Sequence, residues 1–324
     1  MAGSTVALAG GTAPLAAPVG GDLFVALLQL DRLALVPQAV VTAVVFGLVY
    51  ALVAAGLALI WGVADIVNFA HGEYMLVAMY VTVFVTSATN PAGIGPLLLV
   101  PVNAVLLFAL GYATYRYVIS RVMDAPMLAQ IFATFALVLV IRYGALFAVG
   151  PNTLSVPGYA FEGQTRIGGV AVAHPELVTG LVSLLTLGLL VVFLRRTTTG
   201  KAIRATAQDA EVAQVMGVDT DHVYGLTWGI GLAAVGVAGT LVATFSPIQP
   251  ELTPTTWTLI AFAAVAVGGF GSVLGAAAGG VVISFVEHLG ATLLDPSFKE
   301  LYVFVVFIAV LVVSPEGIIN RGAD

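Results

Sequence analysis

The sequence lacks cysteine altogether and has few charged residues. Without a thiol, the 324-residue chain forms no disulfide, binds no metal through thiolates and has no cysteine nucleophile. Charged side chains make up only 9% of the chain, whereas a typical soluble domain has about 25%. The net charge of −6 includes no basic patch, so nucleic acid is not expected as a partner.

Sequence motifs for metal and ATP binding are also missing. The four histidines lie far apart and form no His-x-x-x-His pair, so no metal site is predicted. Ala202 follows Lys201 where the Gly-x-x-x-x-Gly-Lys-Ser/Thr motif needs serine or threonine, and the chain therefore has no P-loop for ATP. Because its loops carry no Ser, His and acid constellation, the chain is not expected to be an enzyme.

Apolar residues fill the chain instead, at 60% of the sequence and with a mean hydropathy of +1.07. Repeated uncharged runs are long enough to cross a hydrocarbon layer of roughly 30 Å, whereas a membrane barrel needs alternating segments of about ten residues. The sequence thus predicts an all-α, polytopic membrane bundle. The runs lie at about 37–61, 66–87, 97–119, 128–149, 177–194, 224–245, 255–269, 272–291 and 301–313. Because 255–269 and 301–313 are short for about 20 residues per span, we expect eight or nine crossings.

The apolar runs define one membrane domain with a tail at each end. The first thirty residues are rich in Gly, Ala and Pro and lack the positively charged start of a signal peptide. We expect residues 1–30 to form a disordered tail, residues 31–319 a single transmembrane domain and residues 320–324 a C-terminal tail. No repeat of about 20 to 50 residues is detected.

Basic residues predict the orientation of the bundle. Four of the eleven lie in one connection: Arg195, Arg196, Lys201 and Arg204. Basic residues in short loops favour the cytoplasm, so this connection is predicted to be cytoplasmic. Counting spans backwards places loop 151–176 outside and both Arg116 and Arg121 inside. Counting on to both ends places the N-terminal tail outside and the C-terminal tail inside.

Polar residues interrupt the apolar sequence between the first two runs. They are Asp65, Asn68, His71 and Glu73. An ionisable or amide side chain in hydrocarbon costs several kcal/mol unless it is paired or faces a wet cavity, so such residues usually line a translocation path. Asn68, His71 and Glu73 are therefore candidate path residues. Alternatively, Asn68 and His71 are interhelical hydrogen-bond partners that hold the bundle together.

The backbone of this polar stretch has two interpretations. On a continuous helix, Asp65, Asn68 and Gly72 share one stripe because they are three and seven residues apart. Alternatively, Gly62 and Gly72 bracket a break near residues 62–73, whose freed backbone groups could face a cavity as in the broken helices of transporters.

Glu73 is the costliest residue of the stretch, because no basic residue lies near it in the sequence. His71 or solvent is expected to compensate its charge, and burial favours its protonated form. A protonated carboxyl group of this kind could take part in a proton relay. A proton-coupled secondary transporter using Glu73 or His71 is therefore an alternative function.

A second polar segment follows the basic cluster, at 197–218. Helix-forming residues run from Lys201 to Met216, and Gly217 is a stop signal. Arg204, Gln208 and Glu211 would share one face of this helix. The opposite face would be small and apolar, with Ala202, Ala205, Val212, Ala213 and Met216. A short cytoplasmic helix of this kind is either a solvated linker or a segment that docks into a groove of a partner.

Glycines recur every four residues near the end of the chain. Gly271, Gly275 and Gly279 would lie on one helix face and allow another backbone to approach closely. The spacing predicts tight helix packing rather than a direct functional role.

Three separated motif pairs resemble the branched-chain amino-acid ABC transporter permeases of the LivH type. They are Gly56-Leu-Ala-Leu-Ile-Trp-Gly62 with Ile66-Val-Asn-Phe-Ala-His-Gly72, Gly200-Lys-Ala-Ile-Arg-Ala205 with Ala213-x-x-Met-Gly-Val218, and Val267-Gly-Gly-Phe-Gly-Ser-Val-Leu-Gly275 with Pro315-Glu-Gly317. The resemblance covers residues 37–319, and the motifs follow one another in the same order as in the family. Glu316 stands where the family has glutamine.

The resemblance implies an importer permease in the plasma (inner) membrane that supplies half of the pathway for branched-chain or related amino acids. It implies a LivM-like second permease, two cytoplasmic ATPase subunits and an extracytoplasmic substrate-binding protein as partners. No cofactor would be bound by this chain, because ATP and magnesium would lie on the ATPase subunits. The segment around Arg204 would be the coupling helix, with candidate residues Gly200, Lys201, Arg204, Ala205, Glu211, Ala213 and Gly217. The pore-lining residues do not choose among leucine-type amino acids, other amino acids, urea and short amides. A passive channel or membrane scaffold is a third interpretation of the function.

The predicted orientation is testable in intact cells, since the chain has no native cysteine. We expect a membrane-impermeant thiol reagent to label Gln164→Cys and to leave Thr198→Cys unlabelled, because the basic cluster holds the second position in the cytoplasm. Labelling after cell lysis is the control for thiol accessibility. Strong labelling of Thr198→Cys in intact cells would reverse the orientation.

Overall fold

The computed structural model describes residues 32–89, 95–156, 163–167, 169–314 and 317. Over these residues the chain is mostly helical, and the helices form a single bundle. The predicted tails at 1–30 and 320–324 lie outside the described residues.

The described helices and strands follow one another in this order: α1 (Val36–Ala64), α2 (His71–Thr89), α3 (Leu99–Tyr117), α4 (Met127–Val149), β1 (Gln164–Ile167), β2 (Val170–Ala173), α5 (His174–Arg196), α6 (Thr198–Gln208), α7 (Ala210–Val215), α8 (Thr220–Val242), α9 (Thr253–Gly268), α10 (Val273–Leu293) and α11 (Lys299–Val313). The two strands form an antiparallel hairpin in which Gln164 lies opposite Ala173. Short 3₁₀ turns precede α3, follow α3 and precede α11.

Seven helices of the described chain are long and apolar enough to cross a membrane: α1, α3, α4, α5, α8, α10 and α11, with α3 and α11 extended by their flanking turns. Helix α9 is apolar but shorter, at 16 residues, as the sequence predicted. Helix α2 begins with polar residues. The predicted all-α polytopic bundle is confirmed, and the expected number of eight or nine crossings stays a prediction, since seven of the described helices meet the criteria for a span.

Helices α1 and α8 form the centre of the bundle. In the most apolar stretch of each of these two helices, 83% of the residues are buried. In α4 and in α11 the corresponding share is 11%. Helix α1 packs most extensively on α10, and α3 on α8. Because α4 and α11 expose long apolar surfaces, they lie at the periphery, where lipid or another membrane protein would cover them.

The two ends of the bundle carry different connections. At one end, Gln38 at the start of α1 exchanges hydrogen bonds of 2.7 and 2.9 Å with the backbone of Ala171 in the hairpin. At the same end, Leu154 and Ile248 form a two-bond bridge between the loops after α4 and α8. Helices α6 and α7 lie at the other end. We call the first the hairpin end and the second the coupling end. The two connections that the basic residues predicted on opposite sides of the membrane thus lie at opposite ends of the bundle.

Glycines allow the central helices to approach closely. A Cβ added at Gly56 of α1 would lie 2.5 Å from the carbonyl oxygen of Gly231 in α8. Gly275 and Gly279 of α10 likewise leave room only for the backbone of α9, at Gly268 and Ala264. The predicted packing role of these two α10 glycines agrees with the structure.

The prediction that Gly271 shares their helix face is wrong. Gly271 lies in the turn before α10, with a φ of 80°, and Ser272 caps the helix by accepting a hydrogen bond from Gly275 N at 3.0 Å. Glycine suits this left-handed backbone conformation. Gly271 still permits close packing, because a Cβ at Gly62 would lie 2.6 Å from its Cα.

The close packing of α1 and α8 predicts different outcomes for two glycine substitutions. Gly56→Ala should lower the free energy of unfolding by about 1–3 kcal/mol, because the added methyl group meets backbone. Gly144→Ala should stabilise the chain by up to about 1 kcal/mol, since alanine favours helix and no described atom lies within 4 Å of a Cβ there. The measurement is the thermal unfolding midpoint of each purified variant in detergent. Equal unfolding midpoints for Gly56→Ala and Gly144→Ala would contradict the close contact between α1 and α8 at Gly56.

Candidate functional site

The polar stretch predicted from the sequence forms a break between two helices. Helix α1 ends at Ala64, and Asp65 follows with a φ of 52°, donating its N–H to the Trp61 carbonyl at 2.8 Å. Aspartate tolerates this left-handed conformation better than most residues. Helix α2 begins only at His71. The predicted break near residues 62–73 is confirmed, and the continuous-helix alternative with its polar stripe is excluded.

The irregular segment 65–70 runs back along α1. His71 Nε2 lies 3.0 Å from the carbonyl oxygen of Val53, eleven positions before the end of α1 at Ala64, which is about 16 Å at 1.5 Å per residue. The six residues of the segment can span about 20 Å when extended. Helix α2 therefore begins beside the middle of α1. Irregular backbone at this depth is tolerated because protein covers it, and Ile66, Asn68 and Ala70 are buried.

Asn68 and His71 face the inside of the chain. Asn68 Oδ1 accepts a hydrogen bond from Ala70 N at 3.1 Å, and His71 contacts the Val53 carbonyl. Both side chains are fully buried. Asn68 Nδ2 and His71 Nδ1 have no hydrogen-bond partner in the described part of the chain. His71 therefore bonds to α1, as the packing interpretation expects, whereas Asn68 bonds only within its own segment. The place of both residues in a path stays a prediction.

Glu73 is paired with Arg142, a residue that the sequence interpretation had not connected with it. The Glu73 carboxylate is 1% exposed and forms an ion pair with Nη2 of Arg142 on α4. The same nitrogen donates to Thr255 Oγ1 on α9 at 2.9 Å. The expectation that His71 or solvent compensates Glu73 is therefore wrong. A sequence signal did exist, because Arg142 is the single charged residue in α4.

The ion pair borders a cavity of about 330 Å³ between α2, α4 and α9. Its lining residues with polar groups are Glu73, Arg142, Tyr143, Thr255 and Thr258, and its apolar lining consists of Phe69, Phe135, Val138, Leu139 and Leu259. Gly72 N donates to Thr258 Oγ1 at 2.9 Å, which fixes the start of α2 against α9. Thr255 lies in the first turn of α9, so the cavity is in the half of the bundle nearer the hairpin end.

The second polar segment folds as two short helices rather than the single helix predicted from Lys201 to Met216. Asp209 interrupts it with a φ of −160°, and its side chain accepts a hydrogen bond from Val212 N at 2.9 Å. An aspartate in this position satisfies a free N–H at the start of a new helix and so competes with continuation of the first. The predicted stop is confirmed, since Gly217 has a φ of 88° at the end of α7.

Helix α6 is fixed to the membrane bundle by Ile203. This side chain is 1% exposed and belongs to one buried cluster with Ala55, Leu59 and Val63 of α1, Leu190 and Leu194 of α5, and Val223 of α8. Gly200 fits against the last turn of α5, where a Cβ would collide with backbone. Arg204 donates to the Leu194 carbonyl at the end of α5. The segment therefore contacts the same helix, α1, that leads into the break.

The candidate coupling residues do not all face outward. Ala213 is buried against its own chain and Ala205 is half-buried, whereas Lys201, Arg204 and Glu211 are exposed. The exposed apolar surface of α7 is formed by Val212, Val215 and Met216, at 58%, 86% and 79% exposure. Of the predicted apolar face, Val212 and Met216 are therefore open to a partner, whereas Ala213 is not.

The pairing of Glu73 with Arg142 predicts a strong effect of charge reversal. Glu73→Lys places two cations together and should cost about 3–5 kcal/mol, because the buried charge of Arg142 loses its partner. Adding Arg142→Glu should restore much of the loss by re-forming the pair. The measurement is the monodisperse fraction in gel filtration of detergent extracts. Glu251→Lys, at an exposed carboxylate, is the control, and the account fails if Glu73→Lys behaves like it.

Comparisons with known proteins agree with a membrane bundle. A family model described as "Branched-chain amino acid transport system / permease component" matches residues 39–313. Over 294 residues the chain is 30% identical to the high-affinity branched-chain amino acid transport system permease protein LivH of Escherichia coli K12, covering 88% of this chain and 95% of that protein. It is 26% identical over 294 residues, with the same coverage, to the permease protein BraD of Pseudomonas aeruginosa. A probable LivH of Methanocaldococcus jannaschii is 29% identical over 296 residues, covering 85% of this chain and 90% of that protein. No solved structure matches. The chain therefore belongs to the family of branched-chain amino acid transport system permeases.

Proposed function

We propose that the chain is the membrane permease subunit of an ATP-driven importer of branched-chain or related amino acids, placed in the inner membrane. The observation that carries the proposal is the direct packing of a cytoplasmic-type helical segment on the broken membrane helix, through Ile203 and the α1 residues Leu59 and Val63. Family membership and the names of the relatives support the transport role and the substrate class.

The proposed assembly contains two ATPase subunits, a substrate-binding protein outside the membrane and a second permease of the LivM type. This chain would supply half of the membrane pathway. It would bind no cofactor itself, and ATP with magnesium would lie on the ATPase subunits, since the sequence has no P-loop.

The coupling step follows from the contacts of α6 and α7. Val212, Val215 and Met216 would dock in a groove of an ATPase subunit, because an exposed apolar helix face gains stability when a partner covers it. Movement of the segment would reach α1 through the buried Ile203 contact. The end of α1 leads into segment 65–70 and then into α2, which carries Glu73. Nucleotide-driven movement would thus reach the centre of the bundle through continuous packing.

No observation favours the proton-coupled alternative. That interpretation placed the proton site at Glu73 or His71. Arg142 supplies a countercharge to Glu73, and His71 Nε2 contacts the Val53 carbonyl. The comparisons likewise offer it no support.

The coupling proposal predicts that a charge on the exposed face of α7 disrupts the complex. Met216→Asp should reduce co-purification of the ATPase subunit about tenfold, because a carboxylate left unpaired in an apolar interface costs more than 1.4 kcal/mol. Membrane insertion should be unchanged, since Met216 is 79% exposed.

Thr198→Asp provides the matched control for this variant. Thr198 is exposed on the same segment at the first residue of α6, where a negative charge favours the helix. It should keep full ATPase association and ATP-driven uptake. Undiminished association and uptake in Met216→Asp would remove the docking role of α7.

A further inference from the structure

A second pocket lies at the coupling end, between α1, α5, α6 and the start of α10. Its volume is about 240 Å³. Apolar side chains form most of its wall, among them Val63 of α1, Val191 of α5 and Leu274 of α10. Its charged lining residues are Arg195 at the end of α5 and Arg204 on α6, and none of its described lining residues is acidic. We call it the arginine pocket.

Neither arginine of the pocket forms an ion pair within the described residues, since the two ion pairs found there involve other side chains. Arg204 donates to the Leu194 carbonyl, which holds it against the end of α5, the helix that carries Arg195. An arginine has five N–H donors, so donors of both side chains remain for a ligand. Two cations that line one pocket repel each other, and an anion bound between them would remove this repulsion.

The start of α10 adds to the positive potential of the pocket. Ser272 Oγ accepts a hydrogen bond from Gly275 N at 3.0 Å, which satisfies one amide of the first turn. The amides of Val273 and Leu274, two residues that line the pocket, have no acceptor in the part of the chain that the structure describes. Helix N-termini carry partial positive charge and attract anions. This contribution supplements the two arginines, which supply the full charges.

The pocket lies where the bundle would meet the cytoplasmic leaflet of the membrane. Arg195 is in the last turn of α5, a helix long and apolar enough to cross a membrane, and the basic residues predict that this end is cytoplasmic. Leu274 in the pocket lining and Val192, next to Val191, are 47% and 57% exposed. Apolar surface therefore continues from the pocket to the outside of the bundle. Basic pockets between membrane helices on the cytoplasmic side suit the head groups of anionic lipids.

Phosphate is the anion that matches two arginines beside an apolar wall. A guanidinium binds a phosphate group through two parallel hydrogen bonds. The pocket is smaller than the roughly 300–1,000 Å³ of ligand pockets, so only a head group would enter and the acyl chains would lie outside. We propose that the arginine pocket binds the head group of an anionic phospholipid from the cytoplasmic leaflet, with Arg195 and Arg204 on the phosphate and the acyl chains along α5 and α10. The inference goes beyond the proposed transport function and rests on the predicted orientation.

The bound lipid would connect the coupling end to the membrane bundle. Its phosphate would join α6 to α5 and to the start of α10, beside the cluster in which Ile203 packs on α1. Arg204 would then contact lipid, a role different from the coupling contact that the family resemblance implies for it.

Ala207 is a suitable reporter position, because it is exposed, it lines the pocket and the chain has no native cysteine. The experiment measures the rate of N-ethylmaleimide labelling of Ala207→Cys in the full chain, in nanodiscs of phosphatidylglycerol or of zwitterionic phosphatidylcholine. Labelling should be about fivefold or more slower in phosphatidylglycerol, because the bound head group covers the thiol. Gln208→Cys is the matched control, since the exposed Gln208 does not line the pocket. The ratio of its two rates corrects for the effect of an anionic surface on thiol ionisation.

Arginine variants of the Ala207→Cys chain test the phosphate contact. Arg195→Gln should remove most of the protection by phosphatidylglycerol, and so should Arg204→Gln, because each loses a guanidinium–phosphate contact. Arg204→Gln also loses the contact with Leu194, so Arg195→Gln alone decides the outcome if Arg204→Gln fails to fold. Arg196→Gln is the control, because it removes the same charge from the same connection outside the pocket lining. It should keep protection within about twofold of the parent chain, since the phosphate contacts remain.

Three results would overturn the proposed lipid site. Equal rates for Ala207→Cys in the two nanodiscs, after correction, would show that no head group binds there. Equal loss of protection in Arg196→Gln and Arg195→Gln would reduce the effect to a general attraction between basic residues and an anionic surface. Protection in phosphatidylcholine by millimolar inorganic phosphate, or by added ATPase subunits, that equals the protection by phosphatidylglycerol would assign the pocket to that other occupant. The lipid comparison uses the chain without partner subunits, so its outcome does not depend on the importer assignment.

Discussion

The structure depends on the pairing or covering of polar groups that lie inside an apolar bundle. A lone charge or an open backbone segment in such surroundings costs several kcal/mol. The chain meets this constraint in two places that adjoin each other. Segment 65–70 is covered by neighbouring helices, and Glu73 is paired with Arg142. Because these contacts join α2 to α1, α4 and α9, the polar centre also sets the arrangement of the helices around it.

The coupling end and the polar centre belong to one continuous packing arrangement. Ile203 at the coupling end belongs to one buried cluster with Ala55, Leu59 and Val63 of α1, and α1 then leads into the irregular segment and α2. Packed protein interiors are stiff, so a displacement at one contact is transmitted to the next. The glycine contacts between α1 and α8 strengthen this arrangement, since backbone meets backbone at Gly56 and Gly231.

Local features could be predicted from the sequence, whereas pairings between distant segments could not. The positions of most helices and the stop at Gly217 follow from composition and residue types, and the break near residues 62–73 was one of two interpretations that the residue types left open. The pairing of Glu73 with Arg142 joins residues 69 positions apart, and hydropathy does not show which spans are neighbours. Asp209 divides the helix predicted from Lys201 to Met216, because its cap bond outweighs a favourable helix propensity. Gly271 lies in a turn because the helix after it begins at a capping serine, which the four-residue glycine spacing concealed.

The energy source is the central claim, because it separates an ATP-driven permease from a proton-coupled transporter. The most direct measurement is accumulation of radiolabelled leucine in proteoliposomes that contain this chain, its second permease, the ATPase subunits and the binding protein. The account predicts that leucine accumulates only when ATP is present on the side of the membrane that carries the ATPase subunits. This accumulation should persist when an ionophore collapses the proton gradient. Accumulation that needs no ATP and is abolished by the ionophore would contradict it.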